Sequence, residues 1–321
     1  MSVLVLIEID NGAIRKTSQE AIVYGAAVAK QLGTSTTVLS IGTINEGTLS
    51  AAGSLGATKI IHATDSRLDQ ENSQAYATVL AQVATQENSK VIILAKSGLG
   101  DAVAARTAAK LKAAVVSGVT ELPDTTDGFK VTRAIYTGKA FATVSVTSDI
   151  KILAIRKNTI EISETGAPVA VTPISPVLND TDFVAKVTEV EKTSTELSLT
   201  DADIIVSGGR GMKGPENWKP LEDLAAALGA ATGCSKPVSD LDWRPHHEHI
   251  GQTGIKVAPN LYIACGISGA IQHLAGVNAS KCIVVINKDP EAPFFKAADY
   301  GIVGDVFDVL PRLTKAVEAS K

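Results

Sequence analysis

Residues Leu261 to Asn287 read LYIACGISGAIQHLAGVNASKCIVVIN and carry the densest chemistry in the chain. A short apolar strand, Leu261–Cys265, runs into the turn Gly266-Ile267-Ser268-Gly269. A helix start follows with Ala270, Gln272 and His273. A second apolar strand, Cys282–Ile286, then ends on Asn287. A strand fed through glycine and serine into a helix gathers backbone N–H groups and the positive helix end at one point. That point suits a phosphate or another anion. His273 adds a group that can carry charge near neutral pH.

A second candidate is Gly209-Arg210-Gly211-Met212-Lys213-Gly214, a G-x-G-x-x-G pattern between a predicted strand and a predicted helix, with Pro215 near its first turn. Glycine lets backbone approach an anion, and Arg210 can bind phosphate through two parallel N–H groups. A dinucleotide fingerprint also wants a carboxylate ~20 residues on. Gly233-Cys234-Ser235-Lys236 stands there instead. The motif reads as well as a tight turn with a solvated arginine. Gln252 and Thr253 lie in a loop bracketed by Gly251 and Gly254. Asn287 and Asp305 each follow a predicted strand, at the carboxyl end where ligands bind in α/β sheets. Asp305 reads equally as a helix cap. The run His246-His247-Glu248-His249 follows Pro245 and lacks the i, i+4 spacing of helical zinc ligands, so a solvated loop and no metal are expected. There is no nucleophile elbow and no Walker loop. Trp218 and Trp243 read as packing residues.

These residues need strands and helices to position them. The first half alternates the two. Strands are predicted at Val3–Ile9, Thr37–Ile41, Lys59–Ala63 and Val91–Ala95. Helices are predicted from a cap at Thr17 or Ser18 through Leu32, with Gly33 as the stop, and over Glu46–Leu55, Asn72–Glu87 and Gly100–Ala113. That rhythm implies a mostly parallel sheet covered on both faces. Lys130–Tyr136, Ala140–Val146 and Ile150–Arg156 read as an antiparallel extension, with Gly138-Lys139 turning between the first two. Val184–Val190 reads as one more strand, and Lys192-Thr193-Ser194-Thr195 as a linker. A second α/β unit starts at Asp203, with strands Ile204–Ser207, Leu261–Cys265, Cys282–Ile286 and Tyr300–Val303. Its helices are expected near Asn217–Leu228, Gly269–Leu274 and Asp305–Ala319. The fold class is α/β in two domains, 1-195 and 196-321, each with a mostly parallel sheet flanked by helices.

Composition narrows the function. The chain has 321 residues, enough for two domains. Aromatics are only 4%, and small and β-branched residues dominate, as suits helices packed closely on parallel strands. The net charge of -4 and the lack of a basic stripe argue against nucleic acid. Cys234, Cys265 and Cys282 have no metal-like spacing, and a reducing compartment fits. The first residues enter a strand without a signal peptide, and no apolar run reaches the ~20 residues that span a bilayer. A bacterial cytoplasmic protein is expected. A processed protein of the mitochondrial matrix would read the same.

The segments Leu-Tyr-Ile-Ala, Gly-Ile-Ser-Gly-Ala-Ile-Gln-His-Leu-Ala-Gly and Val-Ile-Asn-Lys-Asp-Pro, all within or just after Leu261–Asn287, resemble the signature of the electron-transfer flavoproteins, in the alpha subunit. Val206-Ser207-Gly208-Gly209-Arg210-Gly211 and Gly251-Gln252-Thr253-Gly254 agree in the same order. The resemblance runs clearly from about Asp203 to the C-terminus, and more loosely through the first half. It implies a Rossmann-like C-terminal domain that binds FAD. It also implies a beta subunit that carries AMP and packs against this chain. Electrons would arrive from acyl-CoA and related dehydrogenases and leave to a membrane electron-transfer flavoprotein-quinone oxidoreductase.

By the same resemblance, Arg210 would contact the FAD phosphates or nearby polar atoms, and Ser235 the phosphate and ribityl region. Gln252, Thr253 and Gly254 would line the isoalloxazine ring, with Thr253 facing its N5. Ser268, Gly269, Ala270 and Gln272 would hold the pyrophosphate and ribityl chain. His273 would approach the C2 carbonyl, and Asn287 and Asp305 would bind the adenosine half. The family usually has arginine over the flavin face where this chain has Lys236. Lysine keeps the charge and loses the planar stacking group. If Lys236 is only a surface residue, Arg244 is the next cation to consider. Lys256 is displaced by one residue from the family's usual Gln-Thr-Gly-Lys and has no assigned role. Two other readings compete: an NAD-dependent dehydrogenase built on the Gly209–Gly214 loop, and a nucleotide-binding regulatory module built on the first half. The dehydrogenase reading lacks a nominable catalytic acid, and a visible flavin spectrum would separate it from an electron carrier.

Overall fold

The computed structural model describes residues 2–138, 140–188, 198–200 and 202–320. Contacts divide the chain into two compact units, Met1–Glu191 and Lys192–Lys321. The run Lys192-Thr193-Ser194-Thr195 and Lys139 of the expected turn lie outside the described residues.

The first unit runs β1 (Ser2–Leu6), β2 (Ile9–Asp10), β3 (Ala13–Ile14), α1 (Lys16–Gln31), β4 (Ser35–Ile41), α2 (Glu46–Ser50), β5 (Lys59–Ala63), α3 (Ser73–Gln86), β6 (Val91–Ala95), α4 (Gly98–Leu111), β7 (Ala114–Val119), β8 (Lys130–Ile135), β9 (Ala140–Ser145), β10 (Lys151–Ile155) and β11 (Val171–Ile174). Nine strands form one sheet in the order β11-β5-β4-β1-β6-β10-β7-β8-β9. Neighbours are parallel from β11 to β7 and antiparallel from β7 to β9. Side chains alternate across a strand. Along β1, Val3 and Val5 therefore join one core and Leu4 and Leu6 the other. The central parallel strands β5, β4, β1, β6 and β10 are buried on both faces, as a covered parallel sheet requires.

Three expectations are corrected here. The segment Ile150–Arg156 is not part of an antiparallel extension: β10 lies between β6 and β7, parallel to both. Its Ile152-Leu153-Ala154-Ile155 run is buried throughout, which only a central strand permits. The described part of Val184–Val190 is not a strand. One edge strand is β11, which tolerates Pro173 because an edge can leave one N–H out of the ladder. Neither Thr17 nor Ser18 caps α1. The residue at its N-cap is Arg15, and the Ser18 hydroxyl accepts a bond from Glu8 N at 2.8 Å. Gly33 does end the helix, with φ of 62°.

The second unit runs β12 (Ile204–Gly208), α5 (Lys219–Leu228), β13 (Ala231–Cys234), α6 (Lys236–Asp240), β14 (Leu261–Cys265), α7 (Ile271–Val277), β15 (Cys282–Asn287), β16 (Tyr300–Val303) and α8 (Val306–Ala319). Its five strands are all parallel, in the order β13-β12-β14-β15-β16. The chain leaves β12 toward one side to make β13 and returns on the other to make β14. The strand order therefore reverses between β12 and β14. Ligands bind in such sheets at the carboxyl ends of the two strands flanking that reversal. Trp218 is buried in the core beside β12 and Trp243 packs partly against it, both as packing residues. Among the described residues, no helix is long and apolar enough to cross a membrane.

Candidate cofactor site

At the reversal, the carboxyl ends of β12 and β14 touch through glycine. Gly209 N donates to Cys265 O at 2.9 Å and Gly211 N to Gly266 O at 3.0 Å. A Cβ on Gly209 would stand 2.3 Å from Gly266 O. The glycines of the Gly209–Gly214 loop are thus needed for backbone contact, and two of their N–H groups are already spent. The loop itself holds a 3-10 turn at Arg210–Met212, and a second at Pro215–Asn217 separates it from α5. The loop therefore does not deliver a helix N-terminus to a pyrophosphate, and the dehydrogenase fingerprint loses its physical basis. Arg210 is exposed beside the crevice and pairs with no carboxylate among the described residues.

The turn after β14 is shaped by two left-handed glycines, Gly266 (φ 63°) and Gly269 (φ 84°). Phe294 N donates to Ser268 O at 3.1 Å, and a Cβ on Gly269 would lie 2.5 Å from Phe294 N. Only glycine fits that contact. The Asn287 side chain braces the same turn: its Nδ2 donates to Ile267 O at 3.0 Å, and its Oδ1 accepts from Asp289 N at 3.1 Å. The Ala270 carbonyl accepts from His273 N and Leu274 N, closing the first turn of α7. The N–H groups of Ser268, Gly269, Ala270, Ile271 and Gln272 have no hydrogen-bond acceptor among the described residues. Ser268, Ala270 and Gln272 are exposed. A run of free donors at the positive end of a helix is the chemistry of an anion cradle.

A second loop rests on α7. Gln252 N donates to Gln272 O at 2.7 Å, and a Cβ on Gly276 would lie 2.6 Å from Gly251 N. Gly254 N closes onto Gly251 O at 3.2 Å. Gln252 and Thr253 are left exposed at the tip. Ser235 is buried at the end of β13, where its N donates to Gly208 O at 3.0 Å and it stands at the N-cap of α6. Lys236 follows, exposed and without an ion pair or hydrogen bond among the described residues. Asp305 caps α8, accepting from Phe307 N at 3.1 Å. That bond and nearby Lys213 hold its carboxyl below the usual range. Lys213 Nζ lies 3.4 Å from Asp305 Oδ2 and 4.7 Å from the Phe307 ring centroid. Lys213 escaped the sequence reading because the residue it holds is remote in the chain.

The structure changes the expectation for His273. The ring is 6% exposed, and Nε2 is 2.8 Å from the Tyr262 hydroxyl. Burial, then His249, lowers its pKa to about 4, against a weaker opposing influence from the Ile250 carbonyl. Near neutral pH it is an uncharged imidazole. It can offer a hydrogen bond, not a positive charge. Nδ1 is buried and has no partner among the described residues.

The His246–His249 run is also less solvated than expected. Glu248 and His249 are buried. Arg244 grips Glu248 through Nε at 2.9 Å and Nη2 at 2.6 Å, and reaches Glu222 at 2.8 Å. Arg244 also lies 5.6 Å from the Trp218 ring centroid. It is fully engaged as a structural clamp, which removes it as an alternative to Lys236. No group of metal-ligating side chains occurs among the described residues. Cys234 and Cys265 are buried free thiols, pushed up to about 12 by burial.

These features fit an FAD. There is an anion cradle at the reversal, with exposed cations nearby at Arg210 and Lys236. A polar loop tip lies at Gln252-Thr253, and the buried His273 ring keeps Nδ1 without a partner among the described residues. Comparison with known proteins agrees. Residues 198–278 match the family described as "Electron transfer flavoprotein FAD-binding domain". Residues 3–193 match "Electron transfer flavoprotein domain". The electron transfer flavoprotein subunit alpha of Bacillus subtilis is 42% identical, over 98% of this chain and 96% of its own. That of Pseudomonas aeruginosa is 38% identical, over 99% of this chain and 100% of its own. A probable mitochondrial alpha subunit of Caenorhabditis elegans is 41% identical, over 82% of this chain and 78% of its own. The chain belongs to the electron transfer flavoprotein family as an alpha subunit, an electron carrier whose second unit is the family's FAD-binding domain.

Proposed function

We propose that this chain pairs with a beta subunit to form a soluble electron carrier. It would accept electrons from acyl-CoA and related dehydrogenases, as in fatty acid β-oxidation, and pass them to a membrane electron-transfer flavoprotein-quinone oxidoreductase. The carrying observation is the run of unpaired N–H groups from Ser268 to Gln272 at the β12/β14 reversal. Ser268, Gly269, Ala270 and Gln272 receive the pyrophosphate and ribityl chain, with Arg210 neutralising phosphate charge and Ser235 bounding the same region. Gln252, Thr253 and Gly254 line the ring, Thr253 toward its N5. Lys236 contributes positive charge at the ring face. Asn287 and Asp305 bound the adenosine half, Asn287 mainly by bracing the turn that holds the phosphates. The bound FAD supplies the redox chemistry, taking up and releasing single electrons.

In this reading, the first unit, up to about residue 195, forms the beta-subunit contact, and the partner carries AMP. The protein works in the bacterial cytoplasm, or in the mitochondrial matrix if it is a processed organellar protein. The test is co-expression with a beta subunit. The purified heterodimer should show visible flavin absorption, and the alpha chain alone should lose flavin on dilution. A colourless heterodimer that instead binds NAD would overturn the reading.

A further inference from the structure

The loop that carries Gln252 and Thr253 closes around a side chain of its own stem. His249 is 3% exposed and bridges to Cys234 of β13, where Ile250 N donates to Cys234 O at 2.9 Å. The loop then turns back, and Ile255 N donates to His249 O at 2.8 Å. The imidazole spans the two glycines that bracket the turn. A Cβ on Gly254 would lie 2.8 Å from the ring's Cγ and 2.8 Å from its Nδ1. A Cβ on Gly251 would lie 3.3 Å from its Nε2. Each glycine leaves out the atom that the ring would otherwise meet.

The other side of Gly251 is α7. The same Cβ on Gly251 would lie 3.3 Å from Gln272 O, and a Cβ on Gly276 would lie 2.7 Å from Gly251 Cα. The next residue is tied there too, since Gln252 N donates to Gln272 O. Gly251 is therefore held between the ring and the helix. His249 Nδ1 is buried and has no hydrogen-bond partner among the described residues. A buried polar atom left unpaired costs stability, so what the ring contributes here is close packing.

We propose that His249 is a positioning residue of the cofactor site: its ring wedges the stem of the Gln252-Thr253 tip against α7, the helix whose first turn carries the anion cradle. It acts through its bulk and not through a hydrogen bond. The proposal rests on the reading that this loop lines the FAD. A loop that drifts from α7 moves Thr253 relative to a ligand held at Ser268–Gln272. Small displacements of a positioning group are costly. A donor out of place stabilises an electron-rich ligand less, so loosening the loop weakens uptake of an electron.

The test uses the FAD-loaded heterodimer. In the wild type, nuclear Overhauser contacts should join the His249 ring protons to the Hα protons of Gly251 and Gly254. Their absence would overturn the proposal, and that measurement needs no variant to fold. His249→Ala removes the wedge. It should speed hydrogen exchange at the Gln252 N–H by about tenfold or more and leave exchange along Leu261–Cys265 unchanged. It should also lower the equilibrium constant for uptake of the first electron by about threefold to tenfold. His249→Gln, of similar volume, should keep both within about twofold of wild type. Unaltered exchange and potential in His249→Ala would overturn the proposal. So would equal impairment of the two variants, which would assign the effect to imidazole chemistry instead of bulk. Faster exchange at Gln252 with full FAD and an unchanged potential would leave the wedge standing and overturn the reading that the loop lines the flavin.

Discussion

Gly211 and Gly266 meet backbone to backbone at the point where the five-stranded sheet reverses its strand order. A Cβ on Gly211 would lie 2.6 Å from Gly266 Cα, and a Cβ on Gly266 would lie 2.7 Å from Gly211 Cα. Gly211 N donates to Gly266 O at 3.0 Å. The loop after β12 thereby sets the position of the turn that carries the anion cradle.

Gly211→Ala should destabilise the second unit by about 1–3 kcal/mol, the usual cost of forcing an extra carbon into a packed site. The opposing atoms are backbone and cannot swing aside. Urea denaturation followed by the fluorescence of Trp218 and Trp243, both in the second unit, measures the change, and FAD retention should fall with it. A stable variant with normal FAD retention would mean that the two loops can separate without consequence.

Stability should fall with acid through His273. Its pKa is about 4 in the folded chain, against an ordinary value of 6.5. The unfolded ring binds a proton between those values and the folded ring does not. The His273 contribution is therefore complete above pH 6.5 and is lost as pH falls to about 4. The full linkage is about 3 kcal/mol. His249, whose pKa burial also lowers, acts in the same direction. Tyr262, the other titratable group against the ring, stays protonated throughout. Unfolding free energies at pH 7.5 and 5 should differ less in His273→Gln than in wild type. Equal differences would place the titration elsewhere.

Arg244→Ala should cost about 3 kcal/mol, because it strands the buried Glu248 carboxylate without its cation. Arg244→Ala with Glu248→Gln should recover much of that loss. The flavin potential of the folded single variant should stay near wild type, since Arg244 faces Glu222, Glu248 and Trp218. A large potential shift with intact stability would return Arg244 to the list of cofactor cations.

Lys236→Ala should lower the flavin potential, because positive charge stabilises the electron-rich forms. Lys236 is exposed, so the effect should shrink as salt rises. Redox titrations at low and high ionic strength check both points. Identical potentials for alanine and wild type at low salt would make Lys236 a surface residue without a redox role.

Much of this architecture was legible in one dimension. Val91–Ala95, Lys59–Ala63 and Leu261–Cys265 are short, mostly apolar runs, and each forms a strand over those same residues. β13 was not legible. Ala-Thr-Gly-Cys has little intrinsic strand preference, and it is a strand because it pairs with β12 from Ile205↔Ala231 to Gly208↔Cys234. The place of β10 was also hidden. Short connections suggested a meander, yet non-local pairing with Val91–Ala95 sets its neighbours.

The sequence by itself determined that Gly266-Ile267-Ser268-Gly269 joins a strand to a helix, because glycine, serine and apolar periodicity act through local backbone preference. It placed Ser268, Gln272, Asn287 and Asp305 near the carboxyl ends of strands for the same reason. Only the tertiary structure decided what four of the residues do. Gly209 and Gly211 face backbone instead of phosphate. Asn287 braces a turn. His273 is neutral because burial, and then His249, disfavour its charged form. Each outcome depends on contacts between residues far apart in the chain, and on the loss of water around a charge. Neither is encoded in local spacing.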